Sequence, residues 1–243
     1  MLFQSDIKKY FTNTAHRRKR IYDRLGNYKT YIKNPKELLW KYKARYRANY
    51  FISKPEILAL QQKVQDLFHG QTYAKYSDFK RYFIINLRRI YRLGLHKSSP
   101  VRILDIGSGA GFFCWLCKQY GHDVYALDIP GVAIFDYLIP AFNIPRTYCS
   151  IQPNISIPKM DQSFHLIVAF AICFHELEGN QRWNRNNWLY FLNDIKKNFA
   201  HPGTKMHLFF NDHPHGDFEQ VKSYVISSNY TIKVGHKTLE FNF

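Results

Sequence analysis

The sequence predicts an α/β protein: a doubly wound, mainly parallel sheet of seven strands, preceded by a basic, mostly helical N-terminal extension. Three observations support this prediction. Downstream of residue 100, short apolar runs alternate with segments of helical periodicity; the first run ends in a glycine-rich turn; and the net positive charge lies entirely upstream. Alternating strands and helices form a parallel sheet covered by helices on both faces, and such sheets bind ligands at the carboxyl ends of their strands.

The composition indicates a globular protein. Of 243 residues, 46% are hydrophobic and 17% are aromatic, which is enough for one full core and a smaller appendage. The four cysteines are too few for a disulfide framework. The longest mostly apolar run, residues 164–174, contains His165 and falls well short of the roughly 20 residues that a membrane-spanning helix needs. We therefore expect a cytoplasmic protein, with peripheral association at the inner membrane surface as an alternative.

Lysine and arginine are concentrated in the first hundred residues. Residues 1–100 contain 23 Lys and Arg against 6 Asp and Glu, a net charge of +17, whereas residues 101–243 contain 12 of each. Because the composition changes near Pro100, we predict two units: a basic helical region over residues 1–99 and an α/β domain over residues 100–243.

Three helices are predicted in the basic region. Asn34-Pro35 offers an N-cap followed by proline at the first helical position, so a helix should run from there to about Phe51. A second helix is predicted between residues 53 and 70, and a third over residues 77–93. Both of the latter stop at a glycine.

The α/β domain is predicted from periodicity and turn signals. Strands are expected at residues 101–106, 123–127, 147–151, 164–170, 205–210, 230–234 and 238–243. Helices are expected at residues 112–120, 134–142, 188–200 and 218–228. Pro202-Gly203 is interpreted as the turn into the fifth strand, and the last two strands as a closing hairpin.

The most informative motif is the turn after the first strand, Asp105-Ile106-Gly107-Ser108-Gly109-Ala110-Gly111. Glycine is needed where the backbone approaches a ligand closely or adopts a positive φ. The third glycine follows the second by two positions, whereas a dinucleotide-binding fingerprint requires three. No Gly-Lys-Ser/Thr follows, which excludes a phosphate-binding P-loop. The alternative interpretation is an ordinary tight connection between a strand and a helix.

This turn resembles motif I of the class I S-adenosylmethionine (SAM) dependent methyltransferases. The resemblance extends over roughly residues 100–243. Asp128 ends the second strand, where this family has an acidic residue, and residues 161–167, Asp-Gln-Ser-Phe-His-Leu-Ile, are similar to the family's entry into strand four. His165 departs from the aspartate that is usual there.

The resemblance implies SAM as the cofactor and gives roles to the matching residues. Asp128 would hold both ribose hydroxyls, Ile129 would lie against the adenine, and Asp105 would help to position the amino group. The predicted cofactor-binding residues are Asp105, Gly107, Ser108, Gly109, Gly111, Asp128, Ile129 and Phe170. After strand three, where the family often has an acidic residue, the chain offers three polar candidates: Ser150, Gln152 and Asn154.

Candidate catalytic residues follow strands four and five. His175 is the first choice for a general base or an acceptor contact, with Glu176 either orienting it or capping the next helix. His213 is the second candidate. The alternatives are a histidine that only hydrogen-bonds beside the cofactor and, at His213, a solvated polar turn. No metal site is predicted, and Cys114 and Cys117 are interpreted as buried structural thiols.

An amide-rich loop at residues 179–188 carries two tryptophans and flanks the predicted acceptor mouth. Planar amides and indoles suit sugar rings and bases. The alternative is that Trp183 and Trp188 pack on the core.

In this family, additions before the first strand commonly form a lid or an acceptor-selecting region, which the resemblance implies for residues 1–99. Basic residues interleaved with tyrosines suit an anionic partner: nucleic acid, an anionic membrane surface, an acidic glycan or a phosphorylated metabolite. The predicted function is methyl transfer from SAM to an O or N atom of a small-molecule or glycan-type acceptor. The alternatives are an RNA methyltransferase that binds RNA through the basic region, and a non-catalytic SAM-binding or nucleic-acid-binding module.

Overall fold

The computed structural model describes residues 35–171, 183–210, 217–227, 232–235 and 237–243. Among the described residues, three α-helices precede the sheet: α1 (Pro35–Ile52), α2 (Pro55–Phe68) and α3 (Phe79–Leu93). The elements that follow are β1 (Arg102–Ile106), α4 (Phe112–Gln119), β2 (Asp123–Asp128), α5 (Ala133–Ala141), β3 (Arg146–Tyr148), β4 (Phe164–Phe170), α6 (Arg185–Phe199), β5 (Ala200–Phe209), α7 (Asp217–Ser227), β6 (Ile232–Gly235) and β7 (Thr238–Asn242).

Local capping interactions set several helix ends. The Asp78 side chain accepts a hydrogen bond from the Arg81 N–H at 3.0 Å and begins α3. Gly94, at φ 75°, ends that helix in the left-handed conformation that glycine adopts without steric cost. A capping box between Asn184 and Asn187 begins α6.

The described strands form one seven-stranded sheet in the order β3-β2-β1-β4-β5-β7-β6. Strands β1 to β5 are parallel, and β7 is antiparallel to both of its neighbours, β5 and β6. This arrangement confirms the predicted fold class. The carboxyl ends of β1, β2 and β4 therefore meet at one edge of the sheet, where the glycine turn leaves β1.

Two hydrophobic layers cover the sheet. Helices α1 to α5 pack on one face, where Phe83 of α3 stacks on Trp115 of α4 at 5.0 Å between ring centroids. Helices α6 and α7 pack on the other face. Because side chains alternate along a strand, Ile103 points into the first layer, Leu104 into the second, and Asp105 back toward the first. The basic helices therefore lie on the side of the sheet that Asp105 faces.

The fifth strand differs from its prediction. It begins at Ala200 rather than 205 and includes Pro202-Gly203, which was interpreted as a turn. The Gly203 N–H donates to the carbonyl oxygen of Phe243 at 3.1 Å, and the Thr204 hydroxyl donates to that of Phe164 at 2.6 Å. These long-range bonds hold the segment against its neighbours, next to a shift of register between β4 and β5. Strand β3 is also shorter than predicted, ending at Tyr148. None of the described helices combines the length and the apolar character that crossing a membrane requires.

Candidate functional site

A cavity of about 610 Å³ opens at the carboxyl ends of β1, β2 and β4. Its volume falls in the range of roughly 300–1,000 Å³ that is typical of small-molecule sites. The glycine turn and the strand ends form one wall. The basic N-terminal region forms the other, through Tyr73, Tyr76, Tyr82, Asn86 and Arg89. The cavity thus lies between the sheet and helix α3.

The glycine turn presents open backbone to this cavity. Gly107 and Gly109 both have positive φ, 69° and 56°. The Gly107 N–H donates to the carbonyl oxygen of Leu127 at 2.7 Å, which ties the turn to the end of β2. A Cβ placed on Gly109 would lie 3.7 Å from the nearest atom, on the ring of Phe135, which is an ordinary contact. Glycine is therefore required at Gly109 by its backbone conformation rather than by a lack of space.

Asp128 faces the glycine turn. Its Oδ2 accepts a short hydrogen bond from the Gly109 N–H, and its Oδ1 accepts one from the Ile129 N–H at 2.7 Å. The residue is buried, and burial raises the pKa of its carboxyl, although the two backbone hydrogen bonds and Arg146 oppose that shift. A carboxylate oxygen has two acceptor positions, so each oxygen retains one for a ligand. The carboxylate is thus fixed in position with two acceptors available to a pair of donors.

Asp105 lies deeper in the same cavity. It is 2% exposed, and its Oδ2 accepts a hydrogen bond from the Cys114 thiol at 3.4 Å. Burial raises the pKa of Asp105 to about 7, against the opposing effects of the Cys114 hydrogen bond and the charge of Arg89. Burial also raises the pKa of Cys114 well above its usual value, so this thiol is protonated and acts as the donor. Asp105 therefore changes its charge near neutral pH.

Neither a family model nor a curated protein sequence matches the chain. Among solved structures, a ribosomal protein L11 methylase from Lactobacillus delbrueckii subsp. bulgaricus is similar at 13% identity and a TM-score of 0.45, covering 67% of this chain and 77% of its own. The SAM-dependent methyltransferase SibL is similar at 13% identity and a TM-score of 0.47. The match covers 72% of this chain but only 59% of SibL. A TehB-like SAM-dependent methyltransferase from Corynebacterium glutamicum is similar at 14% identity and a TM-score of 0.45; the match covers 67% of this chain and 95% of that protein.

These likenesses are too distant to indicate an acceptor or the role of any residue. The fold itself is decided by the order and direction of the strands, β3-β2-β1-β4-β5-β7-β6 with β7 reversed. The chain has the class I methyltransferase fold. Its carboxyl edge carries the cavity, the glycine turn and the two buried aspartates at one place.

The residues of the cavity fit an adenosyl ligand. The Oγ of Ser108 is buried and has no hydrogen-bond partner among the described residues, although it stands beside the open backbone of the turn. A buried hydroxyl without a partner is costly in free energy, and a polar ligand would satisfy it. Ile129 is 42% exposed at the cavity wall, so its side chain is accessible to a ligand there.

The structure brings most of the predicted cofactor residues together. Those that line the cavity are Asp105, Gly107, Ser108, Gly109, Asp128, Ile129 and Phe170. Gly111 does not line it. A Cβ on Gly111 would lie 2.5 Å from Cδ1 of Ile139 and 3.0 Å from Cδ1 of Ile144, so this glycine permits close packing behind the turn. Of the three polar candidates after strand three, Ser150 lines the cavity.

Sequence reasoning expected a lid from the basic region but missed which of its residues line the cavity. Tyr76 stacks on Tyr82 at 4.7 Å between centroids, and Tyr82 stacks on Phe112 at 5.2 Å, which builds an aromatic wall beside the glycine turn. Burial raises the pKa of Tyr76 to about 12. Arg89 reaches the same wall from α3. The available signal was a polar pair, Asn86 and Arg89, three residues apart at the edge of the apolar stripe of α3.

Backbone strain marks the end of β4. Ala171 lines the cavity with φ 61°, a left-handed conformation that costs a residue with a Cβ about 1–2 kcal/mol. Its N–H donates to the carbonyl oxygen of Phe209 at 2.8 Å, which holds the residue to β5. Strain of this kind is often kept at functional sites.

Both predicted catalytic histidines, His175 and His213, lie outside the described residues. Trp183 and Trp188 are buried and pack on each other at 5.1 Å, which favours the core interpretation of these two side chains. The thiols of Cys114 and Cys117 are fully buried, as predicted. Within the described residues, no group of three or more His, Cys, Asp or Glu side chains has the arrangement of a metal site.

Proposed function

We propose that this protein is a SAM-dependent methyltransferase whose acceptor is an oxygen or nitrogen atom of a small molecule or glycan. One observation carries the proposal: backbone N–H groups, one of them in the glycine turn, hold both oxygens of Asp128 at the wall of a cavity of small-ligand size. The two remaining acceptor positions match the vicinal hydroxyls of a ribose.

The chain's residues would hold and orient the cofactor. Asp128 would accept from the ribose, the open backbone at Gly107 and Gly109 would lie beside the ligand, and Ser108 Oγ would gain a polar partner. Bound SAM supplies a methyl group already activated on a sulfonium. The main task of the protein is then alignment, and holding two reactants in line contributes about 7–11 kcal/mol to lowering a barrier. His175 and His213 remain the predicted bases, a role worth typically about 10²–10⁴-fold in rate.

A second aromatic cluster, which shares Tyr76 with the aromatic wall, supports a small or glycan-type acceptor. Tyr73, Tyr76 and Phe135 pack against one another beside the glycine turn, with ring centroids 5.0–6.3 Å apart. Aromatic side chains of this kind bury the apolar faces of compact ligands. Tyr73 is 42% exposed and could also contact a ligand at the mouth of the cavity.

A second candidate, RNA methylation, is favoured by the outer face of α1. Four large side chains on that face are at least half exposed: Leu39, Tyr42, Tyr46 and Tyr50. The three tyrosines are one helical turn apart, about 6 Å along the axis. The single acid of α1, Glu37, is turned inward to Arg88 and Arg92, so the outward charges are cationic. Cations beside exposed rings suit single-stranded nucleic acid.

Methyl-labelled SAM tests both candidates. Wild-type protein and the Asp128→Asn variant are incubated with a cell extract, which is then separated into RNA, lipid, glycan and small-molecule fractions. We expect label in the glycan or small-molecule fraction with the wild type and at least a tenfold loss with Asp128→Asn. Asp123→Asn, an exposed aspartate at the other end of β2, is the matched control and should keep wild-type labelling.

The fractions separate the outcomes. Label that enters RNA would replace the small-molecule acceptor by the second candidate. Label in no fraction, or equal labelling by wild type and Asp128→Asn, would contradict a methyltransferase that works through Asp128.

A further inference from the structure

Arg89 is a half-buried cation at the wall of the cavity. Its Nη1 donates to Oδ1 of Asn86 at 2.8 Å, and its guanidinium carbon lies 4.2 Å from the ring centroid of Phe170. Within the part of the chain that the structure describes, no carboxylate lies within ion-pair distance of it. Burial lowers the pKa of Arg89 to about 10, so it is still charged at neutral pH. The charge of Asp105 acts on Arg89 from beyond ion-pair distance. A partly desolvated cation with no bonded anion is costly in free energy, and the cavity is where an anion would reach it.

The neighbouring arginines show that this placement is particular to Arg89. Arg88 and Arg92 of the same helix both pair with Glu37, at 3.2 Å and 2.5 Å, on the side of α3 that faces α1. Residues 88 and 92 share one helix face, whereas residue 89 is turned by about 100°. Helix α3 therefore directs Arg88 and Arg92 to a protein carboxylate and Arg89 to the cavity.

The cavity is electrically asymmetric along the sheet edge. Asp128 ends β2, and Asp105 lies on the adjacent β1. On the other side of β1, β4 ends at Phe170, and the Arg89 guanidinium lies over the ring of this phenylalanine. Neighbouring strands are about 4.8 Å apart, so a ligand held at Asp128 would extend past Asp105 toward Arg89. The far end of that ligand would meet a carboxylate and a guanidinium together, a pair suited to a zwitterion.

We propose that Arg89 binds the α-carboxylate of the adenosyl cofactor, whose α-ammonium group the resemblance to the methyltransferase family places at Asp105. This inference rests on the proposed function. The fork of a guanidinium matches a carboxylate in two parallel hydrogen bonds, which a point charge does not reproduce. The basic N-terminal region would then be part of the cofactor site, not only an acceptor lid, and cofactor binding would fix α3 against the sheet.

Two ligands isolate this contact. S-adenosylhomocysteine carries the amino acid group, whereas 5′-methylthioadenosine has the same adenosine and thioether but neither the ammonium nor the carboxylate. Titration calorimetry of both ligands is performed on the wild type, Arg89→Met and Arg89→Lys. Arg45→Met, an exposed arginine of α1, is the matched control for the change of charge. Near-ultraviolet circular dichroism checks that each variant is folded.

We expect Arg89→Met to weaken S-adenosylhomocysteine binding roughly 30-fold and to leave 5′-methylthioadenosine binding within about twofold. Arg89→Lys should fall between, because it keeps the charge and loses the fork, and Arg45→Met should bind both ligands as the wild type does. Equal losses for the two ligands, or no loss for either, would overturn the role of Arg89. A wild type that binds neither ligand would instead contradict the proposed function itself.

Discussion

Asp105 is a residue whose pKa lies near neutrality. Its pKa is raised from 3.8 to about 7 because it is fully desolvated beside Cys114, with the charge of Asp128 adding to the rise and Arg89 opposing it. A raised folded-state pKa means that the folded protein binds the proton more tightly than the unfolded chain does. In the absence of ligand, Asp105 therefore destabilises the fold progressively as pH rises from about 4 to about 7.

The affinity for the ligand should rise with pH over this range, whereas the stability of the ligand-free protein falls. In the proposed binding mode the α-ammonium group faces Asp105 and requires its carboxylate to be charged. S-adenosylhomocysteine affinity should therefore be constant above about pH 7 and fall toward tenfold per pH unit below it. Asp105→Asn should bind weakly with no such slope. The measurement is the dissociation constant of wild type and variant between pH 5.5 and 8.5. An affinity that stays level or rises as the wild type is acidified would argue against this role for Asp105.

At the scale of elements, Gly111 leads from the glycine turn into α4 and packs against Ile139 of α5. An alanine there would place its Cβ against the buried ends of Ile139 and Ile144, at a φ of 74°. Gly121 offers a matched control, because it has a φ of 84° with nothing within 4 Å of a built Cβ. Gly121→Ala should then cost only the conformational penalty of about 1 kcal/mol.

We expect Gly111→Ala to lower the free energy of unfolding by roughly 1–2 kcal/mol more than Gly121→Ala, because two core side chains must shift. Urea denaturation of the two variants measures the difference. If both variants lose the same amount, the packing role of Gly111 is wrong.

Most elements could be predicted from the sequence because their signals are local. The start of α2 at Pro55, the end of α3 at Gly94 and the apolar run of β4 are each visible in a few residues. The start of β5 could not be predicted, since the bonds that hold Pro202-Gly203 in the strand go to Phe243 and, through Thr204, to Phe164. A local pattern contains no information about partners some forty residues away.

At the scale of the whole molecule, the change of charge near Pro100 does not indicate that the basic region and the α/β domain pack closely against each other. Aromatic side chains of the basic region pack on α4; for example, Phe79 and Phe83 of α3 contact Phe112 of α4. The same region places Tyr76 and Arg89 in the cavity. The glycine turn, Asp105 and Asp128 could be predicted from the sequence to lie together at one site, and all of them line the cavity. The opposite wall could not, because periodicity assigns a face to each helix but does not say what that face will meet.

The central claim is that Asp128 and the glycine turn form a site for an adenosyl ligand, and calorimetry with S-adenosylhomocysteine tests it most directly. The wild type and Asp123→Asn should bind with the same affinity. Asp128→Asn should bind about 100-fold more weakly or not at all, because it loses charge-assisted hydrogen bonds to two hydroxyls and disturbs the bonds to Gly109 and Ile129. A wild type that gives no heat of binding, or an Asp128→Asn variant that binds as tightly as the wild type, would contradict the account.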